Sequence, residues 1–205
     1  MKITHTFAGM LMLVAMGTAS YAQEGAKAQQ PSEEEKAWMA YATPGIPHEM
    51  MAKSVGSWTE EITMWMGPGA PATKSTSSCT NRMIMGGRYL EGNSRGNFEG
   101  MPFEGTSLTA YDNAKKMYIG TWIDNMGTGI MITEGNFNQD TQTLEMKGKC
   151  VDPLTSKDMA MRNTLKFIDN NTQYMEMFMT TAEGKEYKSM EIKMTRKAEM
   201  PAKTK

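Results

Sequence analysis

The chain has 205 residues and carries 22 basic and 23 acidic side chains, for a formal net charge of −1. This balance provides no basic excess for the phosphates of nucleic acid or for an anionic membrane surface, so neither partner is expected. Beyond an expected leader, roughly 180 residues remain, enough for one domain that buries about two-thirds of its surface.

The first residues have the pattern of a secretory signal peptide. Lys2 and His5 precede a compact apolar run at 7–16, and residues 20–22, Ser-Tyr-Ala, provide the small-x-small cleavage signal. The apolar run is too short to span a bilayer, and no later stretch of the sequence is long and apolar enough to do so. We therefore expect residues 1–22 to be a signal peptide and the mature protein to be periplasmic or secreted.

A short linker and a helical segment are predicted next. Residues 23–31 are mostly small and polar, which is typical of a linker. Ser32 and Glu35 have the Ser-x-x-Glu spacing of a capping box, which predicts a helix over 33–42. A second short helix is predicted to complete an N-terminal helical segment, 32–55.

Beyond this segment, the apolar residues recur at every second position. The alternation is clear at 58–66, 144–150 and 190–194, where polar residues occupy most of the intervening positions. Turn-forming Asp, Asn, Gly and Pro recur roughly every 13 to 16 residues, with no helical pattern between them. Residues 56–198 are therefore predicted to be all-β: a single antiparallel meander of about ten strands, closed into a β-barrel because closure removes exposed edges.

The segment 121–131, TWIDNMGTGIM, places an aromatic residue, a carboxylate and a Gly-x-Gly close together. A nucleotide-binding phosphate loop lies between a strand and a helix, and its glycines open that helix. Here strands are predicted on both sides, at 117–124 and 130–137. We therefore interpret 125–129 as a hairpin turn whose glycines adopt positive φ. Whether this turn also borders a binding site is left open by the sequence.

Cysteine and histidine are too few for several kinds of chemistry. Cys79 and Cys150 are the only cysteines, and they form either a disulfide or two separate core residues. Because His5 belongs to the expected leader, His48 is the one histidine expected in the mature chain. Thiolate zinc sites and most catalytic zinc sites are thereby excluded, and neither a metal nor a cofactor is expected.

The chain contains 24 methionines, several of them spaced as Met-x-Met, for example Met64/Met66 and Met175/Met177. Outside the cytoplasm, such thioether clusters can bind copper(I). However, residues two apart on a strand face the same side, and the methionines share that side with Ile, Leu and Trp. Core packing is therefore the preferred interpretation, with copper binding or sacrificial oxidation as the alternative.

A short motif connects the two ends of the predicted sheet. Gly56-Ser57-Trp58 opens the first predicted strand, and Arg196 lies near the end of the last strand, on its apolar face. This arrangement resembles the calycins, the lipocalin-like superfamily of ligand-binding barrels, in which a Gly-x-Trp packs beneath a basic residue of the last strand. The resemblance implies that Gly56, Trp58 and Arg196 close one end of the barrel.

A second resemblance covers nearly all of the chain beyond the leader. The segments that carry it are, in order, AWMAYATPGIPHEMMAKSVGSW, MWMGPGAP, GGRYLEG, FEGMPFEGTSLTAYDNAKKMYIGTWIDNMGTGI, DPLTSKDMAMR and EMF. The sequence is similar to the bacterial domain-of-unknown-function 1579 family, which has no established activity. This similarity identifies seven positions that belong to the family pattern: His48, Arg88, Asp112, Trp122, Asp124, Asp152 and Arg162.

The predicted pocket uses residues of three strands. Trp122 and Asp124 share one strand face; if it points inward, the barrel has an aromatic wall and a carboxylate near its mouth. Alternatively, Asp124 accepts backbone N–H bonds at the turn. Tyr111 would supply a further apolar wall. Arg88 would either hold a ligand carboxylate bidentately or pair with an internal acid such as Glu60.

The remaining polar candidates have structural alternatives. His48 lies in the predicted helix at one barrel end and is a candidate ligand contact, haem ligand or general base, or else a hydrogen-bonded cap. Asp112 and Asp152 are predicted at turns. Arg162 is predicted to face outward, because the apolar residues of its strand have the opposite alternation.

These patterns favour an exported β-barrel that binds a small lipophilic or amphipathic molecule. One alternative is an enzyme, a hydrolase or isomerase, with Asp124 or Asp112 as the base and Arg88 as its electrostatic partner. Another alternative is a methionine-rich stress or copper-binding protein. The sequence does not name the ligand.

Overall fold

The computed structural model describes residues 30–198. The expected signal peptide and most of the expected linker lie outside the described residues. Within the described range, neither helix has the length and apolar character needed to cross a bilayer.

Ten strands follow two short helices and form one closed antiparallel barrel. Each strand pairs with its neighbours in sequence, and β1 pairs with β10 to close the barrel, which confirms the all-β meander predicted from the alternation. The elements are α1 (Glu33–Ala42), α2 (Ile46–Ala52), β1 (Gly56–Met64), β2 (Thr73–Ile84), β3 (Tyr89–Phe98), β4 (Met101–Asp112), β5 (Met117–Asp124), β6 (Met131–Asn138), β7 (Thr143–Asp152), β8 (Lys157–Asp169), β9 (Thr172–Thr180) and β10 (Glu186–Arg196).

The predicted capping box forms at the start of α1. The backbone N–H of Glu35 donates to the Ser32 hydroxyl over 3.2 Å, and the Ser32 N–H donates to the Glu35 carboxylate over 2.7 Å. α1 buries none of its residues. The second helix, α2, ends at Ala52 rather than continuing to Val55, the end of the expected helical segment.

Alternation along the strands separates an inner from an outer face, as expected. Trp58, Met146 and Ile192 are all less than a tenth exposed, and each belongs to the apolar set of its strand. Across the closing seam, Trp58 pairs with Arg196 and Ile62 pairs with Ile192. The apolar faces of the first and last strands therefore meet on the inside of the barrel.

The barrel has two different ends. At the closed end, α2 packs against strands β2, β3 and β4, and Met51 forms a buried cluster with Tyr118 and Met146. We call the opposite end, which neither of the two described helices covers, the open end. Its connections are residues 64–73, 98–101, 124–131, 152–157 and 180–186.

The hairpin at 125–129 is confirmed, but its predicted backbone is wrong. Neither Gly127 nor Gly129 is among the described glycines with positive φ. Side chains hold this turn instead. Asp124 accepts the N–H of Met126 over 2.9 Å, and the Asn125 amide bridges to the neighbouring strand β4 by donating to the Pro102 carbonyl over 2.9 Å. An Asx-type turn therefore replaces the expected glycine conformation.

Candidate functional site: the barrel cavity

A cavity of about 650 Å³ occupies the barrel interior and extends to the open end. This volume lies within the range of small-molecule sites. Its walls are largely apolar, and methionines contribute much of the surface. The methionines among the lining residues are Met64, Met66, Met126, Met131, Met146, Met175, Met177, Met190 and Met194.

The Trp/Asp face of β5 points into the barrel, so the question left open by the sequence is resolved. Trp122 and Asp124 both line the cavity near the open end. The indole N–H of Trp122 donates to Asp124 over 2.7 Å, while the other carboxylate oxygen accepts the N–H of Met126. Asp124 therefore has both roles that were considered: it holds the turn, and it faces the cavity mouth.

The Trp122 indole is packed on two sides. Phe103 stacks against it, with ring centroids 6.4 Å apart and planes inclined by 20°. On the facing strand, Gly105 provides the space for the ring, since a Cβ at this position would lie 2.6 Å from Cη2 of Trp122. A glycine is required here for close approach rather than for turn conformation.

The cavity has a polar floor toward the closed end. Glu60 lies there with only 4% of its surface exposed, and its carboxylate accepts a hydrogen bond from the Ser77 hydroxyl. Gln173 is also buried and donates to the Ser54 hydroxyl over 3.0 Å. The Asn81 amide donates to the Ser54 carbonyl over 3.0 Å. All five of these residues line the cavity.

Burial sets the acid–base properties of the floor. Desolvation raises the pKa of the Glu60 carboxyl, and hydrogen bonds from Ser77 and Ser94 act in the opposite direction. Desolvation also raises the pKa of the Cys79 thiol to about 11. Cys79 is therefore a neutral thiol near pH 7 and has no thiolate character.

Below the floor, Trp58 and Arg196 form the contact that the calycin resemblance implies. The Arg196 guanidinium carbon lies 4.2 Å from the centroid of the Trp58 ring, which is completely buried. The same guanidinium donates to three carbonyl groups, those of Lys53, Val55 and Asn170. Gly56 has φ +122°, and a Cβ there would lie near the Arg196 guanidinium.

Arg88 lies outside the cavity, so it does not hold a ligand carboxylate there as one prediction had it. It is exposed in the β2–β3 turn at the closed end, where its guanidinium donates to the Met85 carbonyl over 3.1 Å. Among the described residues it forms no salt bridge with Glu60, so the alternative pairing is absent as well. The two preceding glycines, both with positive φ, place Arg88 in the turn rather than on a strand face.

His48 and Tyr111 pack together at the closed end and do not line the cavity. Their rings are 6.0 Å apart in an edge arrangement. Nδ1 of His48 accepts the backbone N–H of Gly45 over 3.1 Å, so this histidine caps α2. Burial lowers its pKa, and the charge of Arg88 acts in the same direction. Tyr111 contacts Tyr118, with ring centroids 4.9 Å apart, and does not face Trp122.

Cys79 and Cys150 are both free thiols, so the disulfide considered from the sequence does not form. Cys79 lies on β2 and Cys150 on β7, and these strands are not neighbours in the barrel. Within residues 30–198, no group of three or more His, Cys, Asp or Glu side chains is arranged to hold a metal ion.

The other polar candidates have structural partners. Asp112 accepts the N–H groups of Ala114 and Lys115, and these bonds lower the pKa of its carboxyl. Asp152 likewise holds its own turn through Leu154 and Thr155. Arg162 is on the outer face, as predicted, and forms a bidentate pair with Glu186 at 3.0 and 2.6 Å.

The structure therefore brings together Trp122 and Asp124, and it separates both from Arg88, His48 and Tyr111, which lie at the other end of the barrel. The sequence analysis missed the floor formed by Ser54, Ser77, Asn81, Ser94 and Gln173. One signal was available: Glu60, Ser77 and Asn81 follow the alternation of the buried residues, so polar groups were to be expected inside.

Fold and cavity together define a class: a closed, calycin-like meander barrel with an interior site large enough for a small molecule. The chain belongs to the family described as "Protein of unknown function (DUF1579)", whose family model matches residues 43–196. No curated protein matches the chain.

Two solved structures show the same fold. One is the crystal structure of Rv2717c from M. tuberculosis, with a TM-score of 0.56 and 14% identity over 76% of this chain and 100% of that one. The other is the S-type phycobiliprotein lyase CPES from Guillardia theta, with a TM-score of 0.56 and 13% identity over 83% of this chain and 100% of that one. At these identities the similarity concerns the fold.

Proposed function

We propose that the protein is an exported binding protein that holds a small lipophilic or amphipathic molecule inside its barrel. The observation that carries the proposal is the cavity of about 650 Å³ with an open mouth and apolar walls. An apolar molecule gains free energy by leaving water for such a site, at about 25 cal/mol per Å² of buried apolar surface. The fold shared with a phycobiliprotein lyase supports binding of a small organic molecule.

The composition of the walls favours a flexible, unbranched ligand, or several ligands that differ in shape. Methionine side chains are unbranched and polarisable, so they adapt to different shapes. Trp122 and Phe103 would form the rigid aromatic side of the mouth, against which the apolar part of the ligand packs.

The alternative of an enzyme built on Asp124 and Arg88 has no support in the geometry. Asp124 lies at the open end of the barrel, and Arg88 lies in a turn at the closed end. Asp112, the other proposed base, lies in a closed-end turn and accepts two backbone N–H groups there. A base and its electrostatic partner must both reach one substrate, and Asp124 and Arg88 at opposite ends of the barrel do not meet this condition, while the Asp112 carboxylate is engaged by its own turn.

The binding proposal is tested with a neutral lipophilic fluorophore, N-phenyl-1-naphthylamine. We expect saturable binding to the wild-type protein with increased probe fluorescence. Ser75→Phe, on the inner face of β2, should abolish or strongly weaken binding because the new ring fills part of the cavity. Ser78→Phe makes the same change on the outer face of the same strand and should bind the probe like wild type.

Two results would contradict the proposal. One is a wild-type protein that does not bind the probe. The other is a Ser75→Phe variant that is folded, as judged by circular dichroism, and binds as tightly as the Ser78→Phe variant, since the probe would then lie outside the barrel.

A further inference from the structure

The ionisable side chains that line the cavity include two carboxylates, which lie at different depths in the barrel. Glu60 lies at the floor and Asp124 lies near the mouth. No lysine or arginine is among the lining residues of the described chain. Any charge that these carboxylates carry makes the interior negative, and low-dielectric walls strengthen such a field.

Glu60 has no cationic partner within the described part of the chain. The lysines and arginines there that form salt bridges pair with other acids on the outer surface. Its hydrogen-bond partners are the hydroxyl groups of Ser77 and Ser94. Buried carboxylates are usually paired, because removal from water is costly without an opposite charge. An unpaired one that faces a cavity has an unused capacity to bind a cation.

The floor also offers neutral acceptors around Glu60. The hydroxyl groups of Ser77 and Ser94 both reach the Glu60 carboxylate, and each hydroxyl oxygen keeps lone pairs that can accept a further hydrogen bond. An ammonium group has three donors and no acceptor, so it requires such a surrounding of oxygen atoms. The Glu60 carboxylate and the two hydroxyl oxygens beside it meet that requirement.

The dimensions match an elongated amphiphile. On the inner face of β1, Glu60 is followed by Ile62 and then by Met64 near the mouth. Four residues of strand span about 13 Å. A head group at Glu60 would therefore lead into an apolar tail that passes Ile62 and ends among the methionines of the open end.

We infer that the cavity selects amphipathic molecules with a positively charged amine head group, which is held by Glu60 at the floor while the apolar tail extends to the open end. The inference rests on the proposed binding function and names its ligand class. A ligand with a carboxylate head is disfavoured, because it would meet two acidic side chains and no cation. This is the opposite of one alternative considered from the sequence, in which Arg88 holds a ligand carboxylate.

The test compares three probes with the same tail and different heads: dodecylammonium, dodecanol and dodecanoate. Binding to the wild-type protein is measured by isothermal titration calorimetry below the critical micelle concentrations. We expect dodecylammonium to bind most tightly and dodecanoate most weakly. Glu60→Gln should weaken dodecylammonium binding about 10- to 100-fold, the loss expected for a charge-assisted hydrogen bond, and should leave dodecanol nearly unchanged.

Glu61→Gln is the matched control. It makes the same change one residue further along β1, on the outer face, where the side chain is 64% exposed. It should leave the binding of all three probes unchanged. The ranking of the three probes by the wild-type protein tests the inference even if Glu60→Gln does not fold.

The outcomes separate the inference from the function on which it rests. If dodecanol and dodecanoate bind as tightly as dodecylammonium, or if folded Glu60→Gln and Glu61→Gln bind dodecylammonium equally, the head-group inference is wrong and the binding function stands. If none of the three probes binds, the binding function is contradicted and the inference fails with it.

Discussion

Glu60 lies on the inner face of β1, where burial rather than a neighbouring charge dominates its acid–base behaviour. Its pKa is raised above the ordinary value of 4.5, so the folded chain binds a proton here more tightly than the unfolded chain does. The contribution of this group to the free energy of unfolding therefore falls as the pH rises from the unfolded pKa through the raised folded pKa.

Replacing Glu60 by glutamine removes this pH-dependent cost. The difference in free energy of unfolding, Glu60→Gln minus wild type, should be larger at about pH 7.5 than at about pH 4. Only the wild type must bury a charge at the higher pH, so the variant is relatively more stable there. Urea unfolding at several pH values measures this difference. Glu61→Gln, whose side chain is largely exposed, should show no such trend. Parallel pH profiles for Glu60→Gln and wild type would contradict the burial argument.

Individual residues also show what the alternation of polar and apolar side chains along a strand can and cannot predict. It identifies the face on which a side chain lies, and Trp58, Glu60 and Arg196 were assigned correctly in this way. It does not give depth along the barrel axis. Tyr118 and Trp122 share one face of β5, yet Tyr118 belongs to the core cluster near α2 and Trp122 lies near the mouth.

At the scale of elements, the first and last strands and the end of α2 meet through one side chain. Arg196 stacks on Trp58 and donates to carbonyls that precede β1 and follow β8. The planar guanidinium presents its donors in a fixed fork, which a lysine does not reproduce. Arg196 therefore joins three segments that are far apart in sequence.

Arg196→Ala should lower the free energy of unfolding by about 2 to 3 kcal/mol, since hydrogen bonds to a charged group and a cation–π contact are lost together. The control is Lys193→Ala, on the outer face of the same strand, where the Lys193 ammonium is 3.9 Å from the Glu61 carboxylate. A surface pair of this kind contributes about 0 to 1 kcal/mol. Urea denaturation compares the two variants, and equal effects would show that Arg196 does not join the strands.

Strands were easier to predict than turns because strand prediction depends on a repeated pattern over many residues. The bounds of β5 and the start of α1 agree with the sequence prediction. Turn backbone depends on single hydrogen bonds, such as the one from Met126 to Asp124, which the glycine pattern at 127 and 129 did not indicate. Arg88 was misplaced because two glycines of positive φ put it in a turn, and the alternation of strand residues does not extend into a turn.

At the scale of the whole molecule, the barrel separates two kinds of chemistry along its axis. The closed end holds α2, the Trp58–Arg196 contact and the aromatic pair of His48 and Tyr111. The interior above it changes from a polar floor at Glu60 to methionine and aromatic walls at the mouth. This polarity along one axis matches an amphipathic molecule that enters through the open end and leads with its polar group.

The methionines also fit this arrangement. Many of them line the cavity, in agreement with their alternation with polar residues on the strands. Met51, on α2, is only 4% exposed and belongs to the core cluster of the closed end. The interpretation as adaptable packing residues therefore suits both the core and the cavity.

The most direct test of the central claim is native mass spectrometry of the protein purified from the cells that produce it. The account predicts a bound species of small-molecule mass that is released on denaturation, is absent from the Ser75→Phe variant and is retained by the Ser78→Phe variant. If the wild-type protein gives only the mass of its bare chain, and still does so after separate incubation with dodecylammonium, dodecanol and dodecanoate, the account of the barrel as a binding protein is contradicted.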